Sequence, residues 1–178
     1  MMCRHFISLA ALIAMAMPVC AAEPTDAAKV PHKVNNVTIN DLNGDKTSLP
    51  MWGEKNLMIF YVDPDKHKQN EDFTVELEEN HRASGENLYG FGVMNLKDAP
   101  MVPNGLARKM AAKRTAQNGA MVLADQNRVL STEWGLGDCN NKFVLMIISK
   151  EGELVFLRKG ELTAEDKAEF YRVVENYK

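Results

Sequence analysis

Cysteine is scarce in this chain: there are three in 178 residues, and two of them, Cys3 and Cys20, fall within the first 22. Those residues have the layout of a cleavable export signal, with Arg4 as the positive start, Phe6 to Met17 as the apolar stretch, and small residues up to Ala22 at the cleavage site. Lipid attachment at Cys20 is disfavoured, because Met17-Pro18-Val19 lacks the small residue expected just before a lipidated cysteine. Removal of residues 1–22 leaves Cys139 alone, which excludes an internal disulfide. Basic residues are not in excess. The formal net charge is −3 and becomes more negative once Arg4 is lost, which argues against nucleic acid as a partner. No later run is long and apolar enough to span a bilayer, so the mature chain is expected not to be membrane-embedded. Gly-rich phosphate loops, Gly-x-Ser-x-Gly elbows and His-Glu-x-x-His motifs are missing. His32, His67, His81 and Cys139 show no metal-ligand spacing, so neither metal nor cofactor is expected.

What is present is a chain of roughly 156 residues after cleavage, enough for one domain with a hydrophobic core. Residues 23–34 mix Pro24, Pro31, alanines and charges without periodicity and read as a flexible lead-in to a domain over 35–178. Its organising unit is the carboxyl-terminal stretch. Phe143 to Ile148 is a continuous apolar run, the pattern of a strand buried on both faces, and Gly152 separates it from Leu154 to Leu157 so closely that an antiparallel hairpin must join them. Thr163 with Asp166 resembles a capping box, and Phe170, Val173, Val174 and Tyr177 recur at helical spacing. The helix this predicts, from Ala164 to Tyr177, has one apolar face, which a sheet must cover.

Upstream, Val37, Ile39 and Leu42 precede Asn43-Gly44, a two-residue hairpin signal, with Thr47 to Leu49 as the return strand. Asp41, Asn43 and Asp45 alternate as in a calcium loop. However, Lys46 stands where that loop needs glycine and Trp52 where it needs the bidentate glutamate, so the hairpin is the better reading. Leu57 to Val62 reads as a central strand ending at Asp63-Pro64-Asp65. Residues 70–82 are an acidic helix with Phe73, Leu77 and His81 on one face, and His81 at its end. Leu88 to Met94 is a strand weakened by Gly90 and Gly92. Asn104 is read as the cap of a helix running through Lys113, with Leu106, Ala107, Met110 and Ala111 inward, and Gly119 stops it. Ala120 to Ala124 is a strand, Arg128 to Trp134 a short helical or extended piece, and Gly135 to Asn141 a polar loop. Strands alternating with helices before a terminal ββα unit predict an α/β fold, a mixed central sheet with helices on both faces and an amino-terminal β-hairpin.

That order resembles the thioredoxin-like fold in its peroxiredoxin-related form. The chain also resembles the YtfJ family of exported bacterial proteins, through Asn95-Leu96-Lys97-Asp98-Ala99-Pro100, Val122-Leu123-Ala124-Asp125 with Trp134-Gly135-Leu136, and Ser149-Lys150-Glu151-Gly152 with Gly160-Glu161-Leu162-Thr163. These segments mark a fold family and none is a catalytic signature. The resemblance implies a periplasmic location, with an unknown envelope protein or small ligand as partner. It also implies that Asp65 and Lys68 stand at the two positions where redox-active thioredoxins carry Cys-x-x-Cys. A carboxylate and an amine cannot perform thiol–disulfide exchange. The proline expected before the ββα unit has no match in Asn140 to Val144. The reading is thus a non-enzymatic binding or interaction protein, with a single-cysteine thiol oxidoreductase as the alternative.

The candidate residues follow. Asp63, Asp65, His67 and Lys68 crowd a loop at the carboxyl end of a central strand, where open α/β sheets place ligands. The competing reading is a solvated turn shaped by Pro64. Cys139 sits between two glycines and two asparagines, a setting that predicts an exposed thiol able to form a sulfenic acid or mixed disulfide. Against that, its nearest charge, Asp138, disfavours thiolate, and only Lys142 is close enough in sequence to favour it. Trp52 and Trp134 read as packing residues rather than partner anchors. The sequon Asn36-Val37-Thr38 is accidental if the source is bacterial, as the resemblance implies.

Overall fold

A computed structural model describes residues 29–99 and 103–178, so the cleavage-signal reading lies outside the described residues. In chain order the elements are β1 (His32–Lys33), β2 (Thr38–Asn40), β3 (Lys46–Ser48), β4 (Asn56–Val62), a 3₁₀ turn (Pro64–Lys66), α1 (Glu71–Asn80), β5 (Leu88–Asn95), α2 (Asn104–Asn118), β6 (Val122–Asp125), α3 (Val129–Glu133), β7 (Phe143–Ile148), β8 (Glu153–Lys159) and α4 (Ala164–Val174). One mixed sheet runs β1-β8-β7-β4-β5-β6-β2-β3. Within it β4, β5 and β6 are parallel neighbours, and β7 and β8 form the antiparallel hairpin.

β7 is buried along its whole length because it is paired on one side to β4 and on the other to β8, with a helix on each face. Its residues alternate between two cores, as the twofold period of a strand requires. Phe143, Leu145 and Ile147 pack with Phe156 beneath Phe73 and Leu77 of α1 and Phe170 and Val174 of α4. Val144, Met146 and Ile148 pack with Ile59, Tyr61, Leu130 of α3, Trp134 and Leu136 on the opposite face. Phe170 and Val174 are buried as the helical spacing predicts, and Phe156 is buried on β8, as expected for the hairpin strand that α4 covers. α4 begins at the expected capping box: Thr163 Oγ1 accepts the Asp166 N–H at 3.1 Å, and Asp166 accepts the Thr163 N–H at 2.9 Å.

Several local expectations are corrected. The last residues assigned to a flexible lead-in are ordered. β1 pairs with β8, and the Val34 N–H donates to the Gly152 carbonyl at 2.9 Å, because the edge of β8 offers free backbone groups and Val34 and Val37 are apolar enough to bury beside it. The β2–β3 connection is five residues long rather than a two-residue Asn-Gly turn. Asp41 organises it, its Oδ1 accepting the N–H groups of Asn43, Gly44 and Asp45 at 2.8, 2.8 and 2.9 Å. β5 tolerates its glycines because a neighbour fills the space: a Cβ on Gly90 would lie 3.0 Å from Met58 Cε. α2 continues past Lys113 to Asn118, where Gly119 at φ 72° ends it as expected. Leu106, expected to face inward, is 52% exposed, while Ala111 is buried. Leu106 stands in the first turn of α2 and Ala111 more than a turn further along.

Candidate functional site

Two sequence candidates more than 70 residues apart, the loop after β4 and the loop before β7, come together at the carboxyl end of β4. Asp63 follows β4 directly and caps the 3₁₀ turn, with Oδ1 accepting the Asp65 N–H at 2.9 Å and Pro64 supplying the first turn residue. It is fully buried. Its second oxygen, Oδ2, accepts the Asn141 N–H at 2.8 Å, and its own N–H donates to the Lys142 carbonyl at 3.1 Å. Two further residues of the loop, which the sequence did not single out, act the same way. Gln69 Oε1 accepts the Phe143 N–H at 2.8 Å. Asn70 Oδ1 accepts the Leu162 N–H at 2.8 Å, and Asn70 Nδ2 donates to the Gly160 carbonyl at 2.9 Å. Three buried or half-buried polar side chains thus tie the loop to β7 and to the turn before α4.

The remaining candidates divide from Asp63 by exposure. Asp65, His67 and Lys68 are exposed on the tip of the loop together with Lys66, and His67 Nδ1 lies 3.0 Å from the Pro64 carbonyl. The loop therefore has a structural inner side and a polar, mixed-charge outer side. Sequence spacing alone does not separate them, because which side chain faces in is set by where the neighbouring loop passes.

Cys139 is buried, not exposed: 3% of its surface reaches solvent although Asp138 and Asn140 on either side are exposed. Burial pushes the thiol up to about 11, against the pull of Lys159 and Lys142 toward thiolate, while Asp138 adds to the rise. The sulfur lies 3.5 Å from the Gly137 carbonyl. Both lysines are committed to the same loop. Lys159 Nζ donates to the Leu136 carbonyl at 2.7 Å, and Lys142 pairs with Asp138, which holds the Asp138 carboxyl below the ordinary range. The sequence reading missed Lys159, which the hairpin brings across from β8.

Beside these loops, at the carboxyl ends of β4, β5 and β6, lies a buried polar cluster that the sequence reading also missed. Asp125 is fully buried. Its Oδ1 accepts the N–H groups of Asn127 and Val129 at 3.1 and 2.9 Å, while its Oδ2 accepts the Leu130 N–H at 2.9 Å and the Tyr61 hydroxyl at 3.3 Å. It thereby holds the start of α3, a role hinted at by an aspartate two residues ahead of Asn127 and four ahead of a short apolar run. Burial, with the Asp125 charge as the next cause, pushes the Tyr61 hydroxyl well above the ordinary range. Next to it Asn95 Nδ2 donates to Asp98 Oδ2 at 2.6 Å, and Asp98 is paired with Arg128, whose side chain is half-exposed and whose backbone has φ 59°.

Trp134 is core, its Nε1 donating to the Asn35 carbonyl at 2.8 Å and its ring centroid 6.1 Å from that of Trp52. His32 Nε2 lies 3.1 Å from the Trp134 carbonyl, and His81 ends α1 in a left-handed conformation. Among the described residues no group of three His, Cys, Asp or Glu side chains could hold a metal ion, and no helix is long and apolar enough to cross a membrane. A polar cavity of about 310 Å³ lies at the opposite end of the sheet, lined by Asn56, Lys150, Tyr177 and Lys178 among others.

No family model and no curated protein matches the sequence. Solved structures do match in shape. A DsbF homologue from Corynebacterium diphtheriae superposes with a TM-score of 0.60 at 14% identity over 92% of this chain and 98% of its own. A peroxiredoxin-like protein from Aquifex aeolicus gives 0.59 at 14% over 84% and 88%. The pneumococcal exposed lipoprotein thioredoxin of Streptococcus pneumoniae gives 0.57 at 14% over 80% and 99%. At such identities the likeness establishes architecture alone, and the architecture is thioredoxin-like.

Proposed function

We propose that this chain is an exported, periplasmic member of the YtfJ family that uses a thioredoxin-like scaffold for binding an envelope protein or small ligand rather than for thiol redox chemistry. The observation that carries this reading is the composition of the loop after β4. At the positions matched to the two cysteines of redox-active thioredoxins stand Asp65 and Lys68, both exposed, and beneath them Asp63 is a buried tie between loops. The exposed tip, with Asp65, His67 and Lys68, is the contact surface in this proposal, and the exported location rests on the character of residues 1–22. An insulin-reduction assay on the mature chain is expected to show no turnover above background. Robust turnover overturns the proposal. Co-purification of the tagged protein from its own envelope, repeated with D65A/H67A/K68A, is expected to lose the partner in the triple variant.

A second reading is favoured by one specific observation, the placement of Lys159 and Lys142 around the loop of Cys139. In it, the Cys139 thiolate takes an oxygen from peroxide to give a sulfenic acid with release of water, and the sulfenic acid then condenses with a partner thiol to a mixed disulfide, releasing a second water. It requires a thiolate near neutral pH. Burial works against that and outweighs both lysines. An alkylation pH profile with a midpoint below the ordinary roughly 8.5 would restore it.

A further inference from the structure

We infer that residues 137–142 form a strap latched by Asp63, which swings open locally, without unfolding of the sheet, and uncovers the face beneath it. Leu136 is anchored on one side, fully buried and with its N–H on the Ser131 carbonyl at 2.9 Å. Phe143 begins β7 on the other side, its N–H held by Gln69. Between them Gly137, Asp138, Asn140 and Asn141 are exposed and only Cys139 points inward. Gly137 at φ 68° and Asn141 at φ 53° both occupy the left-handed region, which for asparagine is less populated and needs outside contacts to hold it.

The contacts that hold the strap down are unequal. Lys142 on Asp138 and Lys159 on the carbonyls of Leu136 and Asp138 involve partly exposed cations, which water replaces at little cost. The Asp63 latch is different, since a fully buried carboxylate gives one oxygen to its own turn and the other to Asn141, and both bonds are charge-assisted. Its backbone closes the same junction through Lys142. Asp63 therefore sets how often the strap lifts. Cys139, on the inner side of the strap and 3% exposed, is a built-in reporter of the lifted state, whichever of the two readings above holds.

The test is the rate of Cys139 alkylation by iodoacetamide at one fixed pH in the native, mature protein. In Asp63→Asn the amide nitrogen cannot accept, so one of the two bonds is lost. We expect alkylation about tenfold faster, the size of effect that loss of one hydrogen bond to a charged group produces. Ile148→Val, at the far end of β7, corrects for general loss of stability: at matched stability its rate is expected to stay near that of the parent. Equal acceleration in both variants, or no acceleration in D63N, overturns the latch. If D63N does not fold, hydrogen exchange on the parent chain decides the question. The Asn141 amide is expected to exchange by a denaturant-insensitive opening while Leu145 in β7 exchanges only by a denaturant-sensitive one. Identical denaturant dependence of the two amides overturns the proposal.

Discussion

Cys139 shows how a residue can reverse its meaning between sequence and fold. Its polar neighbours predict an accessible thiol, yet the loop folds so that those neighbours take the solvent and the sulfur turns in. The thermodynamic consequence has a definite sign. Burial pushes the thiol of the folded protein up to about 11, above the ordinary roughly 8.5, so the folded state holds its proton more tightly than the unfolded state. The stability this contributes is complete below about pH 8.5 and is lost as pH rises toward 11. Tyr61 and Tyr171, both raised, extend the loss further into alkali. Urea denaturation between pH 8 and 11 is expected to show falling stability, and Cys139→Ala is expected to flatten the fall between pH 9 and 11. An unchanged slope in that variant would assign the effect to the tyrosines alone. At the same scale Tyr61→Phe removes one of four donors to Asp125 and is expected to cost about 1 kcal/mol in chemical denaturation.

Among the elements, the starts of α3 and α4 offer the sharpest comparison. Thr163 and Asp166 form an exposed capping box at the start of α4, and Thr163→Ala is expected to cost about 1 kcal/mol, read as a shift in the denaturation midpoint. Asp125 performs a related task for α3 from a buried position, where its loss leaves several N–H groups without an acceptor. Asp125→Ala is therefore expected to cost about 3 kcal/mol or more, well beyond the cap of α4. Equal costs for the two would contradict the argument that burial makes the difference. The capping box was legible from sequence because its partners lie three residues apart and solvent does not change the logic. The Asp125 anchor was only partly legible, since Tyr61 reaches it from another strand and burial is a property of the packed sheet.

In the whole molecule, residues 177–178 are tied into the fold. Asn56 Nδ2 donates to the Tyr177 carbonyl at 2.6 Å, Lys178 Nζ donates to the Arg82 carbonyl at 3.2 Å, and a Cβ on Gly85 would lie 2.5 Å from the Lys178 carbonyl carbon. Because the atom met is backbone, it cannot swing aside. Gly85→Ala is expected to lower thermal stability, and removing Lys178 in that background is expected to recover part of the loss. No recovery would mean that the clash is not with Lys178.

The sequence by itself determined whatever depends on local order and on burial of whole segments. The run of residues 143–148 had to be an interior strand, Gly152 had to close a hairpin, Thr163 had to start a helix, and the alternation of elements had to yield a mixed sheet with helices on both faces. In each case the determining groups lie within a few residues of one another, so chain connectivity holds them together before any packing. The tertiary structure alone decided which members of a polar loop face inward. Asp63 was an equal of Asp65, His67 and Lys68 in sequence, and became a buried tie only because Asn141, 78 residues away, passes within 2.8 Å of its carboxylate. The burial of Cys139, the reach of Lys159 across the hairpin and the pairing of His32–Lys33 with β8 were decided in the same way. A buried carboxylate or thiol owes its chemistry to the water it loses and the donors it gains, and both are supplied by segments that sequence order keeps apart.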